Sequence, residues 1–229
     1  MSEHAAHDAG LSYDRLVRQV IPGYESLAAL SVAMLASALP DGAQNPRILM
    51  VGCGTGAELL AAARFEPDWQ LTGVDASAEM LAIAGRRLAD LGATADLIPS
   101  RVEDLPSEAR FDGATAILVL HLIPDDGSKL AFLAAIAQRL QPGAGLILVD
   151  LLAETDPVLQ TQLEAAEDRF QRYNGLGPDE REQLRRQTVE ETYRVPPSRI
   201  SGLLNAAGFS DPVPFYQSCD YIGWFVKRR

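Results

Sequence analysis

Apolar positions change period several times along this chain. Ile48-Leu49-Met50-Val51 is a continuous apolar run closed by Asn45-Pro46 on one side and Gly52 on the other. That length and those boundaries predict a buried strand. Residues 57–65 then carry helical spacing. The alternation repeats: a strand over 70–74 ending in Asp75, a helix capped by Ser77 and stopped at Gly92, and a strand over 95–98. A long apolar run over 113–120 suits a central parallel strand. A helix over 127–140, a turn over 141–145 and a strand over 146–151 follow. Before the first strand, residues 11–20 and 25–39 have helical spacing, separated by Ile21-Pro22-Gly23-Tyr24; residues 1–10 read as a disordered start.

Residues 153–195 break this rhythm. They are polar and helical, interrupted at Asn174-Gly175-Leu176-Gly177-Pro178, and read as two helices inserted into the core. A helix over 198–207 and two strands, 213–217 and 221–227, close the chain as a hairpin. The expected fold is α/β: a doubly wound, Rossmann-like sheet, mostly parallel, with antiparallel strands at its C-terminal end. The expected organisation is one structural domain. Residues 1–40 form a helical cap, 41–152 and 196–229 the core, and 153–195 a lid or dimer contact.

Composition narrows the partners. At 229 residues, 47% apolar and 22% charged, the chain is ordinary for a globular protein. No apolar stretch approaches the roughly 20 residues of a membrane span. The start has neither a basic region nor an apolar signal core, so the cytoplasm is expected. Two cysteines make no disulfide framework, and both are expected reduced. A net charge of −11 argues against a protein whose affinity rests on neutralising many phosphates.

The strand, glycine turn and helix around Gly52-Cys53-Gly54-Thr55-Gly56 form a nucleotide cradle, because missing Cβ atoms let a ligand approach the backbone. The spacing Gly52-x-Gly54-x-x-Ala57 also fits the dinucleotide fingerprint. Asp75, at the end of the second strand, can accept from both ribose hydroxyls of either NAD or S-adenosylmethionine. Three features decide between them: the Gly-x-Gly-x-Gly pattern, the helices before the first strand, and the closing strand pair. With VGCGTG, GVDAS, VEDLP, FDGATAILVLHLIPD and LQPGAGLILVD in that order, residues 40–227 resemble the class I S-adenosylmethionine-dependent methyltransferases.

A narrower resemblance covers almost the whole chain. VRQVIPGYESLAALSVAMLA, DRFQRYNGLGPDEREQLRR, LLNAAGF and FYQSCDYIGW are similar to the carboxy-S-adenosylmethionine synthase family. That resemblance implies conversion of S-adenosylmethionine with prephenate into its carboxylated form, used on the wobble uridine of tRNA. It also implies ligand contacts from Tyr24 and Arg185, and a homodimer. Gly54-Thr55 departs from the synthase's Ser-Leu, Ile117 falls near its asparagine, and Ser100-Arg101-Val102 stands where it has Gly-Asp-Ile. The scaffold thus resembles the synthase, while the cofactor pocket looks like that of an ordinary methyltransferase.

The methyltransferase resemblance assigns further roles. Gly52, Cys53, Gly54 and Gly56 should pass close to the methionine part of the cofactor. Asp75 should hold the ribose. Ala76, Met80, Arg101, Val102, Ile117 and Leu118 should line the rest, with Arg101-Val102 on one adenine face. Related enzymes often carry an acid at the Arg101 position; an arginine cannot accept, which leaves the Val102 backbone. Many also place an acid where this chain has Met50, so the cofactor's ammonium must find other acceptors, such as backbone carbonyls after the fourth strand. His121 reads either as a general base or pocket-shaping residue, or as a packed, hydrogen-bonded histidine. Tyr24, His121, Tyr173, Arg181 and Arg185 are the substrate-side candidates. Arg181 and Arg185 share a helix face, able to grip a carboxylate or to pair with neighbouring acids. The expected reaction is methyl transfer to a small, anionic acceptor. Carboxy-S-adenosylmethionine chemistry and cofactor binding without catalysis are the alternatives.

Overall fold

Strand β1 (Arg47–Val51) has four successive buried residues because both its faces are covered. Ile48 and Met50 point into one apolar cluster, Leu49 and Val51 into another on the opposite side. β5 (Leu140–Leu151) repeats the division, with Leu146 and Leu148 on one side and Ile147 and Val149 on the other. Such two-sided burial turns the usual strand alternation into a continuous apolar run.

The computed structural model describes residues 13–106 and 110–229. The expectation for residues 1–10 lies outside them. Besides β1 and β5, the sheet contains β2 (Gln70–Asp75), β3 (Asp96–Pro99), β4 (Phe111–Ile117), β6 (Val213–Ser218) and β7 (Tyr221–Lys227). Their order is β3-β2-β1-β4-β5-β7-β6. The first five strands are parallel, and β7 runs antiparallel between β5 and β6. Residues 13–20 form α1. The remaining helices are α2 (Tyr24–Ala36), α3 (Ala57–Phe65), α4 (Ala78–Asp90), α5 (Ser128–Arg139), α6 (Pro157–Tyr173), α7 (Pro178–Glu191) and α8 (Pro197–Ala206).

Helices α2, α3 and α4 cover one face of the sheet, α5 and α8 the other. The seat of α2 is built by glycine. A Cβ at Gly113 would stand 2.9 Å from Leu35 Cδ1, and one at Gly145 3.3 Å from the same atom, so α2 packs against β4 and β5 through fully buried Leu35. The α6–α7 pair differs, since neither helix contains a buried residue.

Two boundaries differ from the sequence reading. The predicted turn at 141–145 is a bulge inside β5. Leu140 pairs with Phe111 and Gly145 with Gly113, and the residues between them loop out, with Gly143 at φ +80°. Their backbone is satisfied by the chain end: Gly143 N–H donates to Arg228 O and Arg228 N–H to Ala144 O, both at 2.9 Å. The apolar run at 113–120 is also not all strand. β4 stops at Ile117 because Leu118 takes φ +59°, and Leu120–Leu122 form a single 3-10 turn. The bulge is exposed at Gln141, Pro142 and Gly143, whereas the end of β4 stays apolar because Leu118 and Leu120 remain packed on the core.

Strand order reverses direction between β1 and β4. In an open parallel sheet ligands bind there, beyond the strands' C-terminal ends. The glycine turn leaves β1 and the Leu118 turn leaves β4 at this point.

Candidate functional site

The glycine turn is pinned to the end of β2. Gly52 N–H and Cys53 N–H both donate to Val74 O, at 2.7 and 3.2 Å. Gly52, Gly54 and Gly56 all have positive φ, at +65°, +52° and +86°. Their surroundings differ. A Cβ on Gly52 would come 2.3 Å from Val119 Cγ2, so this glycine lets the two switch-point turns touch. A Cβ on Gly56 would meet Ala84 Cβ at 3.0 Å, which sets how closely α3 lies on α4. A Cβ on Gly54 would meet nothing within 4 Å. Gly54 therefore faces open space, the backbone exposure a bound nucleotide needs.

Asp75 ends β2 beside this turn. Its Oδ2 accepts from Gly54 N–H at 2.9 Å and its Oδ1 from Ser77 N–H at 2.8 Å. Both carboxylate oxygens are thereby oriented while keeping lone pairs for further donors. Ser77 caps α4, accepting from Met80 N–H at 3.3 Å. Asp75 is thus free of capping duty for that helix.

These groups line one cavity of about 680 Å³, within the ordinary size of a small-molecule site. Of the residues singled out from sequence, Tyr24, Gly52, Cys53, Gly54, Asp75, Ala76, Met80, Arg101, Val102, Ile117 and Leu118 line it. Gly56 does not; it stands behind the turn at the start of α3. The cavity has two ends of different character. Buried Val102 lies at one, with Leu122, Ile123 and Phe132, an apolar slot suited to a flat base. At the other lie Tyr13, Tyr24 and Glu58.

Tyr13 and Glu58 were missed in the sequence. Glu58 sits in the first turn of α3, only 9% exposed. Burial pushes its carboxyl up to about 7, against a downward pull from its own backbone N–H and from Arg87. Burial, then the nearby acids, also raises the Tyr13 and Tyr24 hydroxyls. The available signal was position: an acid two residues past the last glycine of a nucleotide turn starts a helix that points at the ligand. Burial, followed by Asp75 and Glu58, pushes the Cys53 thiol up to about 12. Cys53 is therefore a small neutral spacer, without the thiolate a nucleophile requires.

Four substrate-side candidates stand elsewhere. His121 does not line the cavity. Its Nδ1 lies 2.5 Å from Oδ1 of buried Asp150, and its backbone N–H donates to the same oxygen at 3.1 Å. Its carbonyl accepts from Tyr193 N–H at 2.7 Å. These contacts are those of the packed, hydrogen-bonded histidine, and they hold His121 outside the lining of the cavity. Fully buried Lys129 donates from Nζ to Leu120 O in the same loop. Tyr173 is 74% exposed at the end of α6. Arg181 is held by Asp168 at 2.7 Å and by Leu176 O at 2.8 Å. Arg185 pairs with Glu182 through two nitrogens, at 2.9 and 2.8 Å, on the exposed face of α7. Both arginines are paired along and between the insert helices, and neither lines the cavity.

A second cavity, of about 810 Å³, adjoins the first at Tyr24. Arg15, Arg18 and Arg87 line it beside Asp14 and Glu25, with Phe170 and Asn174 from the end of α6.

Comparison with known proteins agrees with this geometry. Residues 48–143 match the methyltransferase-domain family. The chain is 28% identical over 218 residues to the carboxy-S-adenosyl-L-methionine synthase of Campylobacter hominis, covering 94% of this chain and 90% of that protein. It is 35% identical over 135 residues to the O-methyltransferase cnsE of Penicillium expansum, over 55% of this chain and 46% of that one. Among solved structures, magnesium protoporphyrin IX methyltransferase (ChlM) from Synechocystis with bound SAH superposes with a TM-score of 0.65 at 18% identity, over 96% of this chain and 94% of that one. That last likeness concerns the fold. Domain match, relatives and architecture point the same way: residues 48–143 carry the match to a methyltransferase domain, and the whole chain is similar in sequence and fold to S-adenosylmethionine-dependent methyltransferases and to carboxy-S-adenosyl-L-methionine synthase.

Proposed function

We propose that the cavity beside the glycine turn binds S-adenosylmethionine along its length, and that the methyl acceptor is a small anionic molecule seated next to Tyr24. Asp75 carries this reading. It is an oriented carboxylate at the end of β2, facing the same cavity as the open side of Gly54. In this reading Asp75 accepts from the ribose hydroxyls. The apolar slot at Val102, Leu122, Ile123 and Phe132 takes the adenine, and the Gly52–Gly54 backbone and Tyr24 flank the methionine portion. The cofactor supplies an already activated methyl group. The protein then contributes alignment and exclusion of water, and needs no base such as His121. The arginine-lined cavity beyond Tyr24 supports an anionic acceptor, through Arg15 and Arg18 in place of Arg181 and Arg185. Calorimetry with S-adenosylhomocysteine, then labelled cofactor with metabolite pools, tests this. Micromolar binding and a labelled anionic product are expected; absence of binding would overturn it.

A second reading, formation or use of carboxy-S-adenosylmethionine, is favoured by likeness to the synthase across 94% of this chain. Mass spectrometry of the ligand retained on purification separates the two, because the carboxylated cofactor is heavier. We further propose a homodimer through α6 and α7, on which Val158, Leu159, Tyr173 and Val189 are exposed. Light scattering showing a monomer would reject it.

A further inference from the structure

Resting on the cofactor reading above, we propose that Glu58 is the carboxylate that receives the α-ammonium of the cofactor's methionine portion. Three carboxylates line the cavity among the described residues: Asp75, Glu103 and Glu58. Asp75 is fixed by Gly54 and Ser77 beside the ribose position. Glu103 is an exposed residue in the turn beside Val102, at the apolar end. Glu58 is the one left at the Tyr24 end, where the amino-acid part of the ligand lies once ribose and adenine are placed. Met50 cannot serve, since it is 1% exposed within the apolar cluster under α2 and α3. Asp14 is engaged already: it accepts from Thr55 Oγ1 at 2.7 Å and pairs with Arg87 at 2.8 Å.

The environment of Glu58 suits a cationic ligand. The groups facing it are Tyr13 and Asp14 on α1, Tyr24 on α2, Cys53 in the turn and Arg87 on α4. Arg87 is committed to Asp14 and to Thr55 O, at 2.8 Å each. Glu58 is therefore a buried carboxylate without an ion-pair partner of its own among the described residues, and burying such a charge unpaired is costly. A ligand ammonium removes that cost. It also favours the ionised carboxylate, so binding releases a proton wherever the free protein holds Glu58 protonated.

Three nucleosides separate this role from its rivals. S-adenosylhomocysteine has the ammonium and no sulfonium, S-adenosylmethionine has both, and methylthioadenosine has neither. Calorimetry with the full chain and with Glu58→Gln should show the first two weakened by about 10- to 100-fold in the variant and methylthioadenosine unchanged. In the unaltered chain, affinity for S-adenosylhomocysteine should rise about tenfold between pH 6 and pH 8, with that for methylthioadenosine flat. Equal losses for all three ligands would mean a structural role and overturn the proposal. Loss confined to S-adenosylmethionine would assign Glu58 to the sulfonium and overturn it too. No loss, or no pH response, does the same. If the unaltered chain bound none of the three, the cofactor reading itself would fall.

Discussion

Gly52 and Gly54 share a turn and a backbone conformation, yet their replacement by alanine should fail in different ways. Both would place a Cβ on a left-handed residue, costing about 1–2 kcal/mol. At Gly52 the added carbon also meets Val119 at 2.3 Å, and relieving that overlap costs a further 1–3 kcal/mol or so. Gly52→Ala should therefore lower the unfolding midpoint clearly. Gly54→Ala should leave stability within about 2 kcal/mol and weaken S-adenosylhomocysteine roughly tenfold, since its carbon projects into open space at the site. Thermal melts and calorimetry on both variants check the contrast. Equal effects on stability would refute it. That Asp75 and the glycine turn come together was legible, because alternating glycines and a carboxylate at a strand end stand out by type and spacing. Glu58 was not, because an acid in a first helical turn ordinarily favours the helix end and is solvated. Its role emerges only from the cavity around it.

At the scale of elements, strand and helix types were legible while their ends were not. Leu118 and Leu120 look like strand residues, since a turn packed on the core is as apolar as the strand before it. The insert shows the converse. Two helices were clear from period and from Asn174-Gly175, but which of their faces meets a ligand was not, because charged residues lie all round α7. Here pairing decides. Arg185→Ala removes an exposed pair with Glu182 and should change stability by less than about 1 kcal/mol. It should also leave affinity for S-adenosylhomocysteine unchanged. A tenfold loss would return Arg185 to the site. His121→Ala should do the opposite. It strips a hydrogen-bond partner from buried Asp150 and should destabilise the protein by about 1–3 kcal/mol. Methyl transfer, measured well below the new melting temperature, should persist.

Across the whole molecule, the order of strands, helices and glycine turn was readable because a doubly wound sheet constrains each connection to one hand. Burial of charge was not readable, because it depends on residues far apart in sequence meeting in the fold. Glu58 on α3 and Glu167 on α6 are both pushed up to about 7, in each case chiefly by burial. Glu167 Oε1 is buried with no hydrogen-bond partner among the described residues, against the hairpin that carries Asp220. Their shared consequence is a pH dependence of folding with a definite sign. A carboxyl raised in the folded state holds its proton at pH values where the unfolded chain has lost it. The stability it contributes is complete below about 4.5 and is lost as pH rises through about 7. Acids held below their usual range, such as Asp125 beside Arg199, act at lower pH, while Asp220, also raised chiefly by burial, adds to the same trend as the pair. The cofactor-free protein should therefore melt at a lower temperature at pH 7.5 than at pH 5.5. A Glu58→Gln, Glu167→Gln double variant should flatten that difference. Saturating S-adenosylhomocysteine should raise the melting temperature more at pH 7.5, where Glu58 is ionised for its ammonium, than at pH 5.5. A midpoint that rises from pH 5.5 to 7.5 equally in both proteins would contradict the assignment of these two raised acids.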